Sequence, residues 1–393
     1  MRAAQQRETY DAIVVGAGVI GLSCAWRAAQ RGLRVLVLER ETPGSGASGV
    51  AAGMLAPVTE AEFGERALLA LLLEGHAAWP AFQEELADAS GLDTGYRASG
   101  AVVTGADADE LREVRRLFEY QRELGLDVTW LTGRECRELE PGLSPRVGGG
   151  IHAPQDRHVD PGAVVRALAL AVEREGGELR PGVEVTGLAL EDDRVTGVLT
   201  ADGALHAGSV VVAAGAWSGA LAGVPDPLRP PVRPVKGQVL SLRGPASESP
   251  LARRLVRTPR CYVVSRGDGR VVVGATVEER GWDRRVTGEG VFRLLEAAWE
   301  VLPDVLELEW EGARSGLRPG SPDNAPVVGH GGLDGLVWAT GHYRNGVLLA
   351  PLTGAGVADL LEGAEPPAAL AAFGPERFAP PPAATASMAR GTR

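Results

Sequence analysis

An α/β fold is what the sequence predicts, and three observations predict it. A strand, a glycine-rich turn, a helix and a second strand fit inside Asp11–Glu39. The chain then abandons that alternation where a third parallel strand is due. It returns near Gly150 with a helix and three β-rich segments. The combination reads as a Rossmann-like domain extended by an antiparallel meander, interrupted by an α+β domain built on an antiparallel sheet.

The opening unit is the most specific. Ile13–Val15 is a β-branched run suited to a strand buried on both faces. Gly16, Gly18 and Gly21 then have the spacing of a dinucleotide fingerprint: the first for the tight turn, the second for close backbone approach to a pyrophosphate, the third for helix–strand packing. A helix starting near Val19 and Ile20 aims its free N–H groups at that phosphate and stops at Gly32. The next strand ends in Glu39, placed to accept ribose hydroxyls, followed by Arg40.

Pro43–Pro57 is a run of small residues, including Ala47, Ser48, Ala52, Gly53 and Met54. Such residues cannot fill a core but can lie flat against a bulky planar ligand. Ala67–Ala89 reads as an amphipathic helix, Tyr96–Thr104 as a short strand and Leu111–Leu124 as a helix. Beyond Asp160-Pro161 a helix ends at Gly176-Gly177. Segments Glu178–Leu190, Arg194–Leu199 and Ala204–Ala214 follow as strands, with Val185 in reach of an adenine and Gly215 in the closing turn. After the proline-rich Pro225–Pro234, strands Gln238–Leu242, Cys261–Ser265 and Val271–Thr276 alternate as half-exposed antiparallel strands, with Gly267–Gly269 as a hairpin turn. A helix, Gly290–Val301, follows. Leu336–Gly346 is a strand entering a glycine turn, followed by a helix from Leu348 to Leu361. Residues 9–90, 148–230 and 312–365 are therefore expected to form the nucleotide domain, and 91–147 with 231–311 the second domain. Residues 366–393 are expected to be a mostly disordered tail.

Composition excludes several classes. A net charge of −11 without a basic stripe disfavours a nucleic-acid partner, and no apolar run is long enough for a membrane span. Three distant cysteines fit a reducing compartment, so a cytoplasmic location is expected, and from the polar start of the chain no cleaved leader is expected. No metal-ligand pattern stands out.

Together the blocks resemble the glycine/D-amino-acid oxidase group of FAD flavoproteins, with the glycine oxidases of bacterial thiamine biosynthesis most alike. The likeness runs from about Asp11 to Leu361 and rests on Ala51–Leu55, Pro234–Gln238, Cys261–Val264, Gly274–Thr276, Gly316–Gly320 and above all Gly341–Pro351. It implies non-covalent FAD, since none of the cysteines lies in the C-terminal block. It implies that Arg318 binds a substrate carboxylate, Tyr262 hydrogen-bonds it, and Arg344 sits beside flavin and substrate. His342, Tyr343, Asn345, Gly346, Val347 and Leu348 would supply N–H groups to the flavin pyrimidine. The implied reaction is oxidative deamination of glycine, sarcosine or small D-amino acids by hydride transfer to flavin N5. Dioxygen is the implied acceptor, giving peroxide, in a homo-oligomer, a tetramer by the same likeness. Val277 stands where that pattern has methionine, and Tyr343 where phenylalanine is frequent. Two rival readings stay open: a D-amino-acid dehydrogenase using a quinone, and an FAD protein that oxidises no amine. An NAD-dependent dehydrogenase does not fit, because the chain leaves the parallel sheet after two strands.

Overall fold

A computed structural model of the chain describes residues 9–245 and 250–378. The triple proline at 380–382, expected to be unstructured, lies outside those residues.

Two eight-stranded sheets organise the molecule. In the first, Leu336–Thr340, Gly203–Val212, Thr9–Val15, Val35–Glu39 and Glu178–Pro181 lie parallel in that spatial order, and Val327–His330 closes one edge antiparallel. Val185–Glu191 and Arg194–Thr200 form the expected meander on Gly203–Val212. Apolar runs at Ile13–Val15 and Val210–Val212 follow from burial on both faces. One face packs helices Val19–Gln30, Arg66–Ser90, Pro161–Arg174 and Gly346–Leu361 around Trp26, Trp79 and Phe82. The other is covered by Leu188, Val195 and Val198 of the meander.

The structure corrects four expectations. Glu178–Leu190 is two strands: Gly182, at φ +79°, turns the chain after Glu178–Pro181, which pairs parallel with Val35–Glu39. The third parallel strand exists, therefore, but follows the excursion into the second sheet. Boundaries at 148 and 312 are displaced as well. Gly149–Ala153 lies between Ala101–Thr104 and Thr129–Thr132, and Glu309–Gly320 pairs with Arg233–Arg243, all in the second sheet. The glycines at 148–150 look like a linker in sequence. In the sheet they admit close backbone approach: a Cβ on Gly150 would sit 2.5 Å from the Val103 carbonyl oxygen. Fourth, the beginning of the expected tail is packed, with Leu370 and Phe373 buried against the first core. The structure adds the strand Thr129–Thr132 and the helix Gly133–Leu139, whose start is marked by a reciprocal capping box of Thr132 and Glu135.

The second sheet runs Glu309–Gly320, Arg233–Arg243, Arg270–Gly274, Tyr262–Ser265, Leu255–Arg257, Ala101–Thr104, Gly149–Ala153 and Thr129–Thr132. Helix Gly288–Val301 covers one face through Leu294, Ala297, Ala298 and Val301, packed on Leu240, Val263 and Val273.

Gly21 tests the tight junction of the first unit, because a Cβ there would collide with the Gly16 carbonyl. Gly21→Ala is expected to lower unfolding free energy by about 1–3 kcal/mol, read from urea midpoints at constant slope.

Candidate active site

A cavity of about 760 Å³ receives residues from both sheets. The first sheet contributes Gly16, Gly18, Val19, Ile20, Glu39, Arg40 and Val185, together with the turn Ala213–Trp217. Gly16 has φ +104°, and a Cβ there would stand 2.7 Å from the Ala213 carbonyl oxygen, so only glycine lets the turn nest on the neighbouring strand. The Glu39 carboxylate accepts from the amides of Ala17 and Glu41, both at 2.9 Å, which fixes it at the cavity wall. Ser48 Oγ accepts from the Val19 amide at 3.0 Å, which brings the small-residue segment onto the helix start and leaves the hydroxyl proton free to donate. Ala47, Ala52, Gly53 and Met54 line the cavity beside it, and Arg40 stacks 3.9 Å from the Trp217 ring centroid.

The second sheet presents a row of functional groups on the cavity face. Arg257 pairs with Tyr262, Tyr262 with Gly274 and Gly274 with Val239. Directly opposed residues share a face, and Gly237 lies two residues from Val239 on the same side. The Tyr262 ring lies across Gly274 and the Arg318 guanidinium across Gly237; a Cβ at either glycine would strike them. Arg318 is half-buried and donates to the carbonyls of Lys236 (3.3 Å) and Thr276 (3.1 Å). Among the described residues it has no carboxylate partner. Burial pushes the Tyr262 phenol up to about 12 despite the nearby Arg318 charge, so it is a neutral hydroxyl donor at neutral pH.

The two carbonyls that aim Arg318 are held from the opposite face. Lys236 is 1% exposed, and its ammonium meets Glu278 at 3.2 Å. Glu278 also accepts from Thr276 Oγ1 (2.6 Å) and Gln238 Nε2 (2.7 Å), so one carboxylate ties together both residues under the guanidinium. Val277, between Thr276 and Glu278, lines the cavity and is exposed.

Arg344 is at the cavity but is engaged by acids. It bonds Glu62 and the Glu60 carbonyl, with Glu65 3.8 Å away. Burial works against its charge, and the three glutamates outweigh burial. Asp156, fully buried, accepts from the amides of Val58 and Thr59 and so anchors this acidic segment; burial pushes its carboxyl up to about 7.

Three sequence candidates lie outside the cavity lining. Gly21 is consumed in helix–turn packing. The Leu348 side chain is core, and its carbonyl accepts from Trp79 Nε1. Asn345 is buried at the start of the last helix, and neither polar atom of its side chain has a partner. His342, Tyr343, Gly346 and Val347 do line the cavity. Burial pushes the His342 imidazole down to about 3, so it is neutral, with Nε2 3.0 Å from Thr353 Oγ1. Glu60, Glu62, Arg257, Arg260 and Trp217 also line the cavity and were not singled out from sequence. The acids and arginines sit in loops and at strand ends without a diagnostic spacing. The "Gly-Ala-Trp" after the strand ending at Val212 was the one available signal.

The family model described as FAD dependent oxidoreductase matches residues 11–360. The chain belongs to this family. Its cofactor is FAD. The glycine oxidase of Geobacillus kaustophilus is 38% identical over 93% of this chain and 96% of its own length, and the crystal structure of that enzyme superposes with a TM-score of 0.85, covering 93% and 98% of the two chains. The bifunctional protein ThiO/ThiG of Synechocystis sp. is 36% identical over 94% of this chain, which corresponds to 54% of that longer protein. An iminodiacetate oxidase of Chelativorans sp. is 28% identical, with TM-score 0.83 over 93% and 98% of the chains.

The residues present fit FAD. Gly16 and Gly18 leave the phosphate approach open, Glu39 is fixed for a ribose, and the small segment Ala51–Met54 leaves a flat wall for a ring system. The helix Gly346–Leu361 begins without a side-chain cap, so its first N–H groups are available to the electron-rich end of a flavin.

Two outcomes follow from this geometry. Gly274→Ala is expected to push Tyr262 off the sheet and raise KM for a carboxylate substrate about tenfold, with kcat less affected. Asp156 has a folded-state pKa above its unfolded value of 3.8, so the folded state holds the extra proton. Its contribution is full below about pH 4 and is lost as pH rises to about 7. Asp156→Asn should flatten that part of the stability–pH curve, measured by urea unfolding at stepped pH.

Proposed function

We propose that the protein is a glycine oxidase, deaminating glycine, sarcosine and small D-amino acids with dioxygen as acceptor and peroxide as product. The observation that carries this reading is Arg318: a half-buried guanidinium beside Tyr262, facing the FAD cavity, with no acid of its own among the described residues. A cation withdrawn from water needs an anion, and a small substrate's carboxylate supplies it through a bidentate pair. The neutral Tyr262 hydroxyl donates to the same carboxylate and fixes its rotation. Held at one end, a small amino acid has its Cα and amine placed by position alone. When bound, FAD supplies the two-electron acceptor for the Cα hydride. Glu62 on Arg344 stops that second arginine from competing for the carboxylate, so the substrate has one docking polarity.

The proposal extends to non-covalent FAD, supported by three buried cysteines, and to a cytoplasmic homo-oligomer, a tetramer by likeness to the family. Exposed Phe292 and Trp299 on helix Gly288–Val301 offer an apolar face for subunit contact. Likeness to ThiO/ThiG supports an imine product that feeds thiazole formation in thiamine biosynthesis.

The test is an anaerobic titration of the purified yellow protein with glycine, sarcosine and D-alanine, followed by air. Bleaching by these amines and rapid recovery with peroxide are expected. Slow recovery in air, rescued by a quinone, would move the protein to the dehydrogenases, and no bleaching would remove amine oxidation. Arg318→Ala should cost about 3–5 kcal/mol in kcat/KM. Turnover near that of the parent would sink the carboxylate role.

A further inference from the structure

Arg266 is a buried cation that the substrate chemistry leaves unused. It follows the strand Tyr262–Ser265, is 7% exposed and lies behind the cavity wall rather than on it. Its guanidinium donates to the carbonyl of Val159 (2.5 Å) and to the carbonyl of Ala52, which belongs to the flat small-residue wall. No carboxylate among the described residues forms an ion pair with it. The acid that attracts it most, Asp160, is already committed to Arg270 at 2.6 Å and to the amides of Gly162 and Ala163.

The charge is retained all the same. Burial brings the guanidinium down to about 10, which leaves it protonated at neutral pH. Its field reaches a neighbouring group: burial first, then Arg266, push the His158 imidazole down to about 3. His158 pairs across the short ladder with Met54, a cavity residue. The positive potential thus borders the same wall that Ala52 and Met54 present to the cavity. An unpaired buried charge is costly, and two carbonyl struts could be satisfied by a neutral amide at lower cost.

We propose that Arg266 is a fixed positive charge behind the flavin wall that stabilises the negative charge the isoalloxazine gains on reduction, and so raises the cofactor's affinity for electrons. Preorganised charge in a poorly screened site acts strongly on charge that develops there. Arg266 is then a positioning and tuning residue for FAD. It touches neither substrate nor, by the bonds it makes, the ring itself. The inference rests on FAD as cofactor and not on which amine is oxidised.

The experiment uses the FAD-loaded protein and no amine. Sulfite is the probe: its sulfur lone pair forms a bond to flavin N5 and the displaced electron pair moves into the ring, so its affinity reports the same stabilisation. Arg266→Gln retains hydrogen-bond donors and removes charge; Arg266→Lys retains charge; Asp160→Asn keeps a helix-capping side chain and removes the acid that attracts Arg266 most. Arg266→Gln should bind sulfite about tenfold more weakly, with a two-electron potential about 30 mV more negative by dye equilibration. Arg266→Lys should stay close to the parent, and Asp160→Asn should bind sulfite more tightly. An Arg266→Gln protein with full FAD and unchanged sulfite affinity overturns the proposal. If that variant loses FAD, unchanged sulfite affinity in Asp160→Asn overturns it instead.

Discussion

The candidate site depends on a guanidinium laid flat on a β-sheet, with no acid paired to it among the described residues. Arg318 can lie there only because residue 237 has no side chain, and it is aimed only because the carbonyls of Lys236 and Thr276 are held in place. Those carbonyls are held by Glu278 on the far side of the sheet, where Lys236 is buried. The charge is thus oriented by backbone dipoles and left uncompensated. A carboxylate partner would have satisfied it equally well and left nothing for a ligand to neutralise.

The two sheets divide the work according to their geometry. A parallel sheet ends all its strands at one edge, where glycine turns and helix starts gather, and this collects phosphate- and ring-binding backbone around Gly16, Gly215 and Gly346. An antiparallel sheet offers a broad face whose side chains alternate, so a substrate clamp can be built across neighbouring strands from Arg318 to Tyr262. The acidic segment at Glu60–Glu65 bridges them by engaging Arg344 from the first unit's C-terminal turn and approaching Arg257 of the second sheet at 3.9 Å.

The cofactor half of this arrangement was largely legible in sequence, because its chemistry is carried by local spacing. Gly16, Gly18, Val19, Glu39, Ala52 and Val347 all reach the cavity, and each belongs to a run whose conformation is fixed by its own neighbours. Non-local order was less legible. The strand Glu178–Pro181 gives no hint that its partner lies at Val35–Glu39, and Gly149–Ala153 resembles a hinge until the carbonyls of Val103 and Leu131 are seen against it. Asn345, expected among the flavin contacts, is buried beside the cavity lining rather than in it, since a helix start points its backbone and its cap residue in different directions. Arg257, Arg260 and the glutamates of the acidic segment were missed for a related reason. A charged loop residue reads as solvated unless a distant partner is known.

The chain's overall charge and the charge at its cavity have opposite signs, and the local one governs. A net −11 spread over the surface is screened within about 8–10 Å at physiological ionic strength. Around the cavity, Arg257, Arg260 and Arg344 are each met by glutamate, which removes most of their long-range effect. Among the described residues Arg318 and Arg266 are not; Arg266 is buried, and Arg318 is half-buried against the sheet. In the proposed reading one guanidinium receives the carboxylate of the substrate and the other stands behind the wall that faces the flavin. Pairing with glutamate thus sets Arg257, Arg260 and Arg344 apart from Arg318 and Arg266. An acidic protein can in this way bind an anion tightly without attracting polyanions to its surface.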